Sequence, residues 1–411
     1  MVADARPKTV AYFVESTFNT APADWDASGT EVYTIGPDPS GAAQALVDNE
    51  NYVQSHLGMH GKLRGLKNSE VLLGGLYLHG SPNSAAETAQ STAIPLSDIC
   101  KCAWGGVSLG YAGGITTGST TSSIVLEAGE GANFTDGDWA FPTDADDSEG
   151  DFVKFDSIAT DTVTLTTRDC TFTPADADTA HAVIVCYPHG QALREHDSAS
   201  HTTMAVFMKG EHAEDLYEFL GCKINLTMGE VVAGEPTKLE ANLVVTSWDN
   251  DGLSAPTLST TPAGEAPGLP GTGDDTFVLF EDKGTTLAEV SCYSLAPSLA
   301  IAHERVTGPC GSEGVHGHIA TGIGESTLTV TLPYDDSYQA EFEADTRKHL
   351  LLQVGSGSGA WGIYFPDLEL KQPKRVDNNG VTAVELEMII HENTSGTTDR
   401  TRAPWELLLR A

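Results

Sequence analysis

Four short runs of this chain alternate apolar residues with polar or small ones, and this alternation constrains the fold more than any other feature. The runs are residues 220–228, 239–245, 328–332 and 384–390. A period of two sends alternate side chains to opposite faces of a strand, so each run predicts a strand with one buried face. Several such strands in one chain predict antiparallel sheets.

The order of predicted elements in the first half of the chain recurs in the second half. In each half a strand is followed by a helix-like run that ends at glycine, and later by a pair of strands. The strand and the helix-like run are residues 69–78 and 95–104 in the first half, and residues 326–332 and 341–354 in the second. A repeat of this length predicts two tandem copies of one β-rich domain, and duplicated domains often build symmetric or pseudo-symmetric assemblies.

A segment rich in Pro, Gly, Ser and Thr, residues 251–275, is the predicted linker between these domains. The first domain then covers residues 1–250 and contains a β insertion at about residues 105–212. The second domain covers residues 276–395, and a C-terminal tail follows at residues 396–411.

The chain is strongly acidic. Its 58 acidic residues against 22 basic ones give a formal net charge of −36, and the imbalance comes mainly from the scarcity of Lys and Arg. Such a surface repels nucleic acid, so tight DNA binding is not expected. Two interpretations stay open: a hydrated acidic surface suited to a saline habitat, or a surface past which nucleic acid slides without adhering.

The sequence contains no pattern that predicts an enzyme. It has no GxxxxGK[ST] phosphate loop and no GxSxG nucleophile turn, and its seven cysteines form no CxxC pair. His316 and His318 form an HxH pair without an evident third ligand nearby. No stretch approaches the roughly 18 apolar residues that a membrane-spanning helix needs. We therefore expect no catalytic, metal or cofactor site and no membrane partner.

Two groups of basic residues are candidates for contacts between subunits. Lys62, Arg64 and Lys67 lie close together, and Arg347 and Lys348 lie in the predicted helix at residues 341–354. A basic group on so acidic a chain is either a solvated face or the complementary side of a subunit contact.

The C-terminal tail ends in an apolar run that contains Trp405 and Leu408. Large apolar side chains near the end of a chain need a surface that covers them, within this chain or on another. Trp405 and Leu408 are therefore further candidates for inter-subunit contacts.

Three stretches resemble the tail tube (major tail) proteins of long, non-contractile-tailed bacteriophages of the siphovirus type. The stretches are residues 11–25, 217–248 and 295–393. The first contains Glu15 and Thr17 within an E-x-T-x-x-T-x-P segment, which in that family leads into an inter-subunit arm. The resemblance therefore implies inter-subunit contacts for Glu15 and Thr17.

The resemblance also implies a fold and a function. The fold is all-β with minor α: tandem β-sandwich tail-tube domains, each flanked by a short helix, whose sheets join between subunits into a channel-lining β-barrel. The function is that of a structural virion protein, not an enzyme, which self-assembles into stacked rings that conduct DNA into the host. Two tube domains per chain imply a trimeric pseudo-hexamer, and one implies a hexamer. Glu369, Glu385 and Glu387 are candidate acids facing the lumen.

The same resemblance implies the partners and the location. The partners are other copies of the chain, the tape measure, terminator and distal tail proteins, and double-stranded DNA in transient, non-adhesive passage. The location is the virion tail, after synthesis in the host cytoplasm. The alternatives are another virion β-protein (a capsid decoration, tail terminator or baseplate component) and a carbohydrate-binding adhesin.

Overall fold

Strands predominate in the computed structural model of the chain, and the predicted all-β fold with minor α is confirmed. The structure describes residues 9–42, 46–47, 63–64, 67, 69–80, 95–109, 113–144, 150–175, 178–181, 183–188, 203–210, 216–254, 276–312, 315–321, 326–357, 359–398 and 400–410. The helices are α1 (Trp25–Ser28), α2 (Pro95–Trp104) and α3 (Ser337–Glu343), with 3₁₀ turns at Pro39–Gly41 and Glu130–Asn133. The strands are β1 (Thr9–Val14), β2 (Thr30–Glu31), β3 (Leu46–Val47), β4 (Leu63–Arg64), β5 (Ser69–Tyr77), β6 (Gly106–Leu109), β7 (Gly113–Gly114), β8 (Ser123–Val125), β9 (Asp138–Thr143), β10 (Val153–Phe155), β11 (Ser157–Ala159), β12 (Thr162–Thr164), β13 (Thr179–His181), β14 (Val183–Cys186), β15 (Met204–Lys209), β16 (Leu216–Met228), β17 (Lys238–Val245), β18 (Ser247–Asp249), β19 (Thr276–Asp282), β20 (Ser294–Ser298), β21 (Ala302–Ser312), β22 (Val315–Thr321), β23 (Thr327–Pro333), β24 (Arg347–Val354), β25 (Trp361–Leu370), β26 (Lys374–Asn378), β27 (Val381–Ile390) and β28 (Glu406–Arg410).

Two large antiparallel sheets form the body of the protein. The first has seven strands in the order β2-β1-β15-β16-β17-β5, with β18 beside β16. The second has ten strands, seven of which follow the order β20-β23-β27-β25-β28-β14-β6. Of the other three, β24 pairs with β25, β19 pairs with β24, and β26 pairs with β27. The four runs with a period of two lie on β16, β17, β23 and β27, as predicted.

The second sheet contains strands from both sides of the predicted linker. β14 and β6 come from the predicted first domain, and β28 comes from the predicted tail and lies between β25 and β14. Strands of both predicted domains therefore share one sheet, and the tandem division remains a prediction. Most of the linker, residues 255–275, lies outside the described residues.

One hydrophobic core joins the inner faces of the two sheets and helix α2. Trp104, the last residue of α2, meets Trp405 of the C-terminal segment edge-on, with ring centroids 4.6 Å apart. A hairpin of β21 and β22 lies beside this body, and Arg305 donates hydrogen bonds from it to the carbonyls of Ser69 and Val245. No helix in the described part of the chain is long and apolar enough to cross a membrane.

Two basic side chains cap the buried C-terminal end of α2. Lys223 Nζ donates to the Cys102 carbonyl at 3.1 Å, and His303 Nε2 donates to the Ala103 carbonyl at 2.5 Å. Both side chains are almost fully buried. Donors at this position satisfy carbonyls that have no partner within the helix, and a positive charge there is favoured by the helix dipole.

Acid is expected to destabilise the fold partly through His303. Burial and the nearby Lys223 charge lower the pKa of His303 from 6.5 to about 4. The unfolded chain therefore binds the proton more tightly, so the free energy of unfolding falls as the pH drops from about 6.5 to about 4. Urea unfolding of wild type and of His303→Gln at neutral pH and at about pH 4.5 measures this effect. The stability of His303→Gln is expected to depend less on pH than that of wild type. The control His316→Gln, which changes an exposed histidine, is expected to keep the full pH dependence. An equal pH dependence of wild type and both variants would contradict the prediction.

A separate β module lies within the predicted insertion. Its two sheets have the orders β10-β9-β13-β7 and β11-β12-β8, and it has its own core, which includes Phe155 and Val163. The module, residues 113–181, is smaller than predicted because β6, β14 and β15 of the same range belong to the two main sheets. It packs on the outer face of the ten-stranded sheet, where Trp139, Leu351 and Leu408 share a further core.

The predicted helix at residues 341–354 is wrong over most of its length. Helix α3 ends at Glu343, Asp345 adopts a left-handed backbone conformation with φ of 52°, and strand β24 follows. β24 pairs with β19 on one side and β25 on the other, and seven of its eight residues are buried. A strand buried on both faces has a continuous apolar run, which cannot be told from a helix by its period.

Candidate assembly interface

Part of the outer face of the ten-stranded sheet is polar and is left uncovered by the described residues; we call it the open face. It comprises the outward residues of β20, β23 and β27 and the adjoining ends of β24 and β25. Because Val384, Leu386 and Met388 lie in the core, Glu385 and Glu387 must lie on the opposite face of β27. The open-face residues are Ser294, Ala296, Ser298, Thr327, Thr329, Thr331, Arg347, Glu369, Glu385, Glu387 and Ile389.

The three acids predicted to face a lumen lie together on this open face. Glu385 and Glu387 are paired with Thr331 and Thr329 of β23. Glu369 is the register partner of Ile389, which follows Glu387 on the same face of β27. The side chains of the three acids are 31% to 34% exposed. The structure thus brings the three acids together, and whether they face a lumen remains a proposal.

Each of these acids has a basic partner. Glu387 is ion-paired with Lys371, whose hydrogen bond lowers the pKa of the Glu387 carboxyl. Lys374 Nζ lies 3.2 Å from the Glu385 carboxylate. Glu369 lies 2.9 Å from the Arg347 guanidinium. The open face is therefore close to charge balance, and it is not a bare row of negative charge.

The basic partners Lys371 and Lys374 were missed by the sequence analysis. Lys371 lies at the bend between β25 and β26, and Lys374 is the first residue of β26, where it is the register partner of Glu385 on β27. A signal was present, since five of the 22 basic residues fall within residues 347–375. Their partners could not be assigned without the strand register.

Lys348, predicted as an inter-subunit contact, is instead held inside its own chain. Its side chain is 5% exposed, and Nζ lies 2.5 Å from Asp282 and 2.8 Å from Glu341. Burial alone would lower the pKa of Lys348, but the hydrogen bonds to these two carboxylates outweigh it and raise the pKa. Arg347 is more exposed and forms its ion pairs with Glu369 and Asp367.

Glu15 is also an internal residue, which corrects its predicted contact role. Its carboxylate accepts hydrogen bonds from Thr203 Oγ1 at 2.6 Å, from the Gly221 amide at 2.8 Å and from the Asn19 amide at 3.0 Å. Burial raises its pKa against these hydrogen bonds. Glu15 thus ties the loop after β1 to the bend at Gly221, where φ is +58°.

Trp405 and Leu408 are corrected for the same reason. Both side chains are fully buried in their own chain, Trp405 against Trp104 and Leu408 beneath the β module. The apolar tail therefore finds its covering surface within this chain.

The remaining predicted contact residues are only partly accounted for. Thr17 is exposed, and Lys67 lies 3.9 Å from Asp249 and over the Trp248 ring. Arg64 lies on the short strand β4, and Lys62 lies outside the described residues. Contact roles for Thr17, Arg64 and Lys67 stay predictions.

The described residues contain no group of three or more His, Cys, Asp or Glu side chains placed to hold a metal ion. His318 is buried and has its ring 6.0 Å from that of Phe18, while His316 is exposed. No protein-family model matches the chain, and no curated protein is significantly similar to it. The function must therefore be argued from the geometry above together with the sequence resemblance.

Proposed function

We propose that this chain is a structural virion protein that self-assembles into the stacked rings of a bacteriophage tail tube, through which DNA passes into the host. The open face is the observation that carries the proposal. It is a broad sheet surface of hydroxyls and compensated charges with one large apolar side chain, Ile389. The described residues leave it uncovered beside the module that packs on another part of the same sheet.

Such a surface suits the lining of a channel for DNA. It presents no row of unpaired cations to bind phosphates, and the chain as a whole is an anion of net charge −36. The net negative charge of the assembled rings then repels DNA. The paired acids Glu369, Glu385 and Glu387 give the channel a hydrated wall to which DNA does not adhere.

In this proposal the two main sheets form a β-sandwich, and sheets of neighbouring subunits join around each ring into a channel-lining barrel. Joining removes exposed sheet edges, which are otherwise aggregation sites. The β module lies on the outside of the wall or at its rim. Tape measure, terminator and distal tail proteins are the proposed partners, and the virion tail is the proposed location.

Electron microscopy of the purified chain over a range of concentrations tests the proposal. Stacked rings with a central hole are expected, and the mass per ring distinguishes a trimeric pseudo-hexamer from a hexamer. Rings that never stack would favour a tail terminator or another virion β-protein. Monomers at every concentration would refute self-assembly and favour a decoration protein or an adhesin.

A further inference from the structure

Two cysteine thiols meet inside the core, where helix α2 packs on the ten-stranded sheet. Cys100 lies on α2 and Cys186 on β14, and both are fully buried. The Cys100 thiol donates a hydrogen bond to the Cys186 sulfur. The Cys186 thiol in turn donates to the carbonyl of Ser97, one turn earlier in α2, at 3.9 Å. The fold therefore brings together two thiols that are far apart in the sequence.

The backbone on both sides holds these cysteines in place. α2 ends at Trp104, and the Gly105 amide donates to the Lys101 carbonyl at 2.9 Å. Strand β6 begins at the next residue, Gly106, which is the register partner of Cys186 on β14. A Cβ atom on Gly106 would lie 3.1 Å from Cys186 Cα, so the two backbones are in close contact. The thiols are thus fixed by the end of a helix and by the strand pair that follows it directly.

The thiol pair lies at the base of the β module. Strand β6 leads into the module, residues 113–181, and strand β14 leads out of it. A covalent bond between Cys100 and Cys186 would therefore enclose the whole module in one loop. Such a cross-link lowers the entropy of the unfolded chain, and the effect grows with the length of the loop.

We propose that Cys100 and Cys186 are a redox-active pair that forms a disulfide bond, with a small-molecule disulfide such as oxidised glutathione as the oxidant. The thiolate of one cysteine attacks a sulfur of oxidised glutathione, which forms a mixed disulfide and releases one reduced glutathione. The thiolate of the other cysteine then attacks the protein sulfur of that mixed disulfide and releases the second glutathione. Two electrons pass from the protein to glutathione, and the two thiol protons end on the two reduced glutathione molecules.

The pair is expected to react slowly while the fold is closed. Burial and the hydrogen bond to Cys186 raise the pKa of the Cys100 thiol well above its usual range. Only the thiolate attacks a disulfide, and the oxidant must also reach the sulfur, so exchange takes place while α2 is transiently open. Once formed, the bond is shielded from reductants in the same way.

The timing of this bond, though not the bond itself, rests on the proposed function. A virion protein made in the host cytoplasm folds where glutathione keeps thiols reduced, whereas a released virion lies in an oxidising medium. The bond would then form after the rings have assembled and fasten the module to α2 in the finished tube.

Peptide mapping tests the bond directly. The purified chain is incubated with oxidised glutathione, either folded or during refolding from urea, then alkylated and digested with trypsin. The variant Cys170→Ala is used, so that Cys100 is the only cysteine of the tryptic peptide 68–101 and Cys186 the only one of the peptide 169–194. Mass spectrometry is expected to show these two peptides cross-linked, and dithiothreitol is expected to separate them.

Urea unfolding measures what the bond does to stability. Oxidation is expected to raise the urea midpoint of Cys170→Ala by about 0.5–1.5 M over its own reduced form. No such shift is expected for Cys100→Ala or Cys186→Ala, each compared with its own reduced form. The matched control is Cys102→Ala, which removes a second buried cysteine of α2, with its sulfur 3.6 Å from the Cys222 carbonyl oxygen, and should keep the full shift.

The outcomes separate this inference from the proposed function, because neither measurement requires assembly. Absence of the cross-linked peptide from both samples, or a cross-link that joins Cys100 to a different cysteine, would overturn the inference and leave the tube proposal standing. A midpoint shift that persists in Cys100→Ala would overturn it too. Failure of the folded chain to assemble would refute the tube proposal and the timing, but not the bond.

Discussion

Removal of residues 404–411 is expected to prevent the chain from folding. The deleted segment contains β28, which pairs with β25 on one side and with β14 on the other. Its leucines are buried on both faces: Leu407 and Leu409 in the main core, and Leu408 beneath the β module. Deletion therefore opens a gap in the middle of the ten-stranded sheet and uncovers two cores at once. At about 2–5 kcal/mol for each large buried side chain lost, the total matches or exceeds the roughly 5–15 kcal/mol that stabilises a typical domain.

The substitution Trp405→Ala tests the same segment without removing it. Trp405 is fully buried against Trp104, so truncation is expected to lower the free energy of unfolding by about 3–5 kcal/mol. Urea denaturation of the variant measures this loss. Tyr293→Ala is the control, because Tyr293 is a large aromatic that is 40% exposed, and its loss is expected to be under about 1 kcal/mol. A truncated chain that remains soluble with native circular dichroism would contradict the role of β28.

The strands that could be predicted from the sequence are those with one buried face and one face toward solvent. β23 buries alternate residues throughout, and β16, β17 and β27 do so over residues 224–228, 238–243 and 384–390, so their period of two is visible in the chain. β24 and β28 are buried on both faces, and their runs HLLL and ELLL carry no period. The first therefore resembled a helix and the second an unpartnered tail. A strand buried on both faces is distinguished from a helix or an unpaired tail by the strands that pair with it. Those strands are distant in sequence, so a local pattern does not reveal them.

The open face was predictable in part for the same reason. The period of two predicts that Glu385 and Glu387 share a face with each other. It does not predict that Glu369 joins them or that Lys374 pairs with Glu385, because both depend on the register of β27 against β25 and β26. Likewise Glu15 and Gly221 belong to two stretches that carry the resemblance, yet only the fold shows that one hydrogen bond joins them.

Disruption of the buried ion pair between Asp151 and Arg168 is expected to destabilise the protein about as much as Trp405→Ala does. Both side chains are at most 1% exposed, and an Arg168 guanidinium nitrogen lies 2.5 Å from a carboxylate oxygen of Asp151. Arg168 also donates to Gln353 at 2.6 Å and to the Phe152 carbonyl at 3.0 Å. Gln353 lies on β24, so this network fastens the β module to the ten-stranded sheet.

The substitution Asp151→Asn leaves the guanidinium charge of Arg168 buried without its counter-ion. Removing one partner of such a pair costs about 3–5 kcal/mol, mostly as the penalty for the charge that remains. The matched control is Glu385→Gln, which breaks a half-exposed pair with Lys374 and is expected to cost about 0–1 kcal/mol. Thermal unfolding of the two variants compares these losses directly.

A third variant separates the charge from the packing. If the penalty comes from the unpaired charge, the double substitution Asp151→Asn with Arg168→Met should be more stable than Asp151→Asn alone, because it leaves no buried ion and keeps an acceptor for the Thr171 amide. Hydrogen exchange should then show faster exchange across β9 and β10 in Asp151→Asn than in the double variant, while β16 and β17 stay protected in both. Equal stability of the two variants would indicate that the packing of Trp139 and Phe152, and not the ion pair, stabilises the contact between the β module and the ten-stranded sheet.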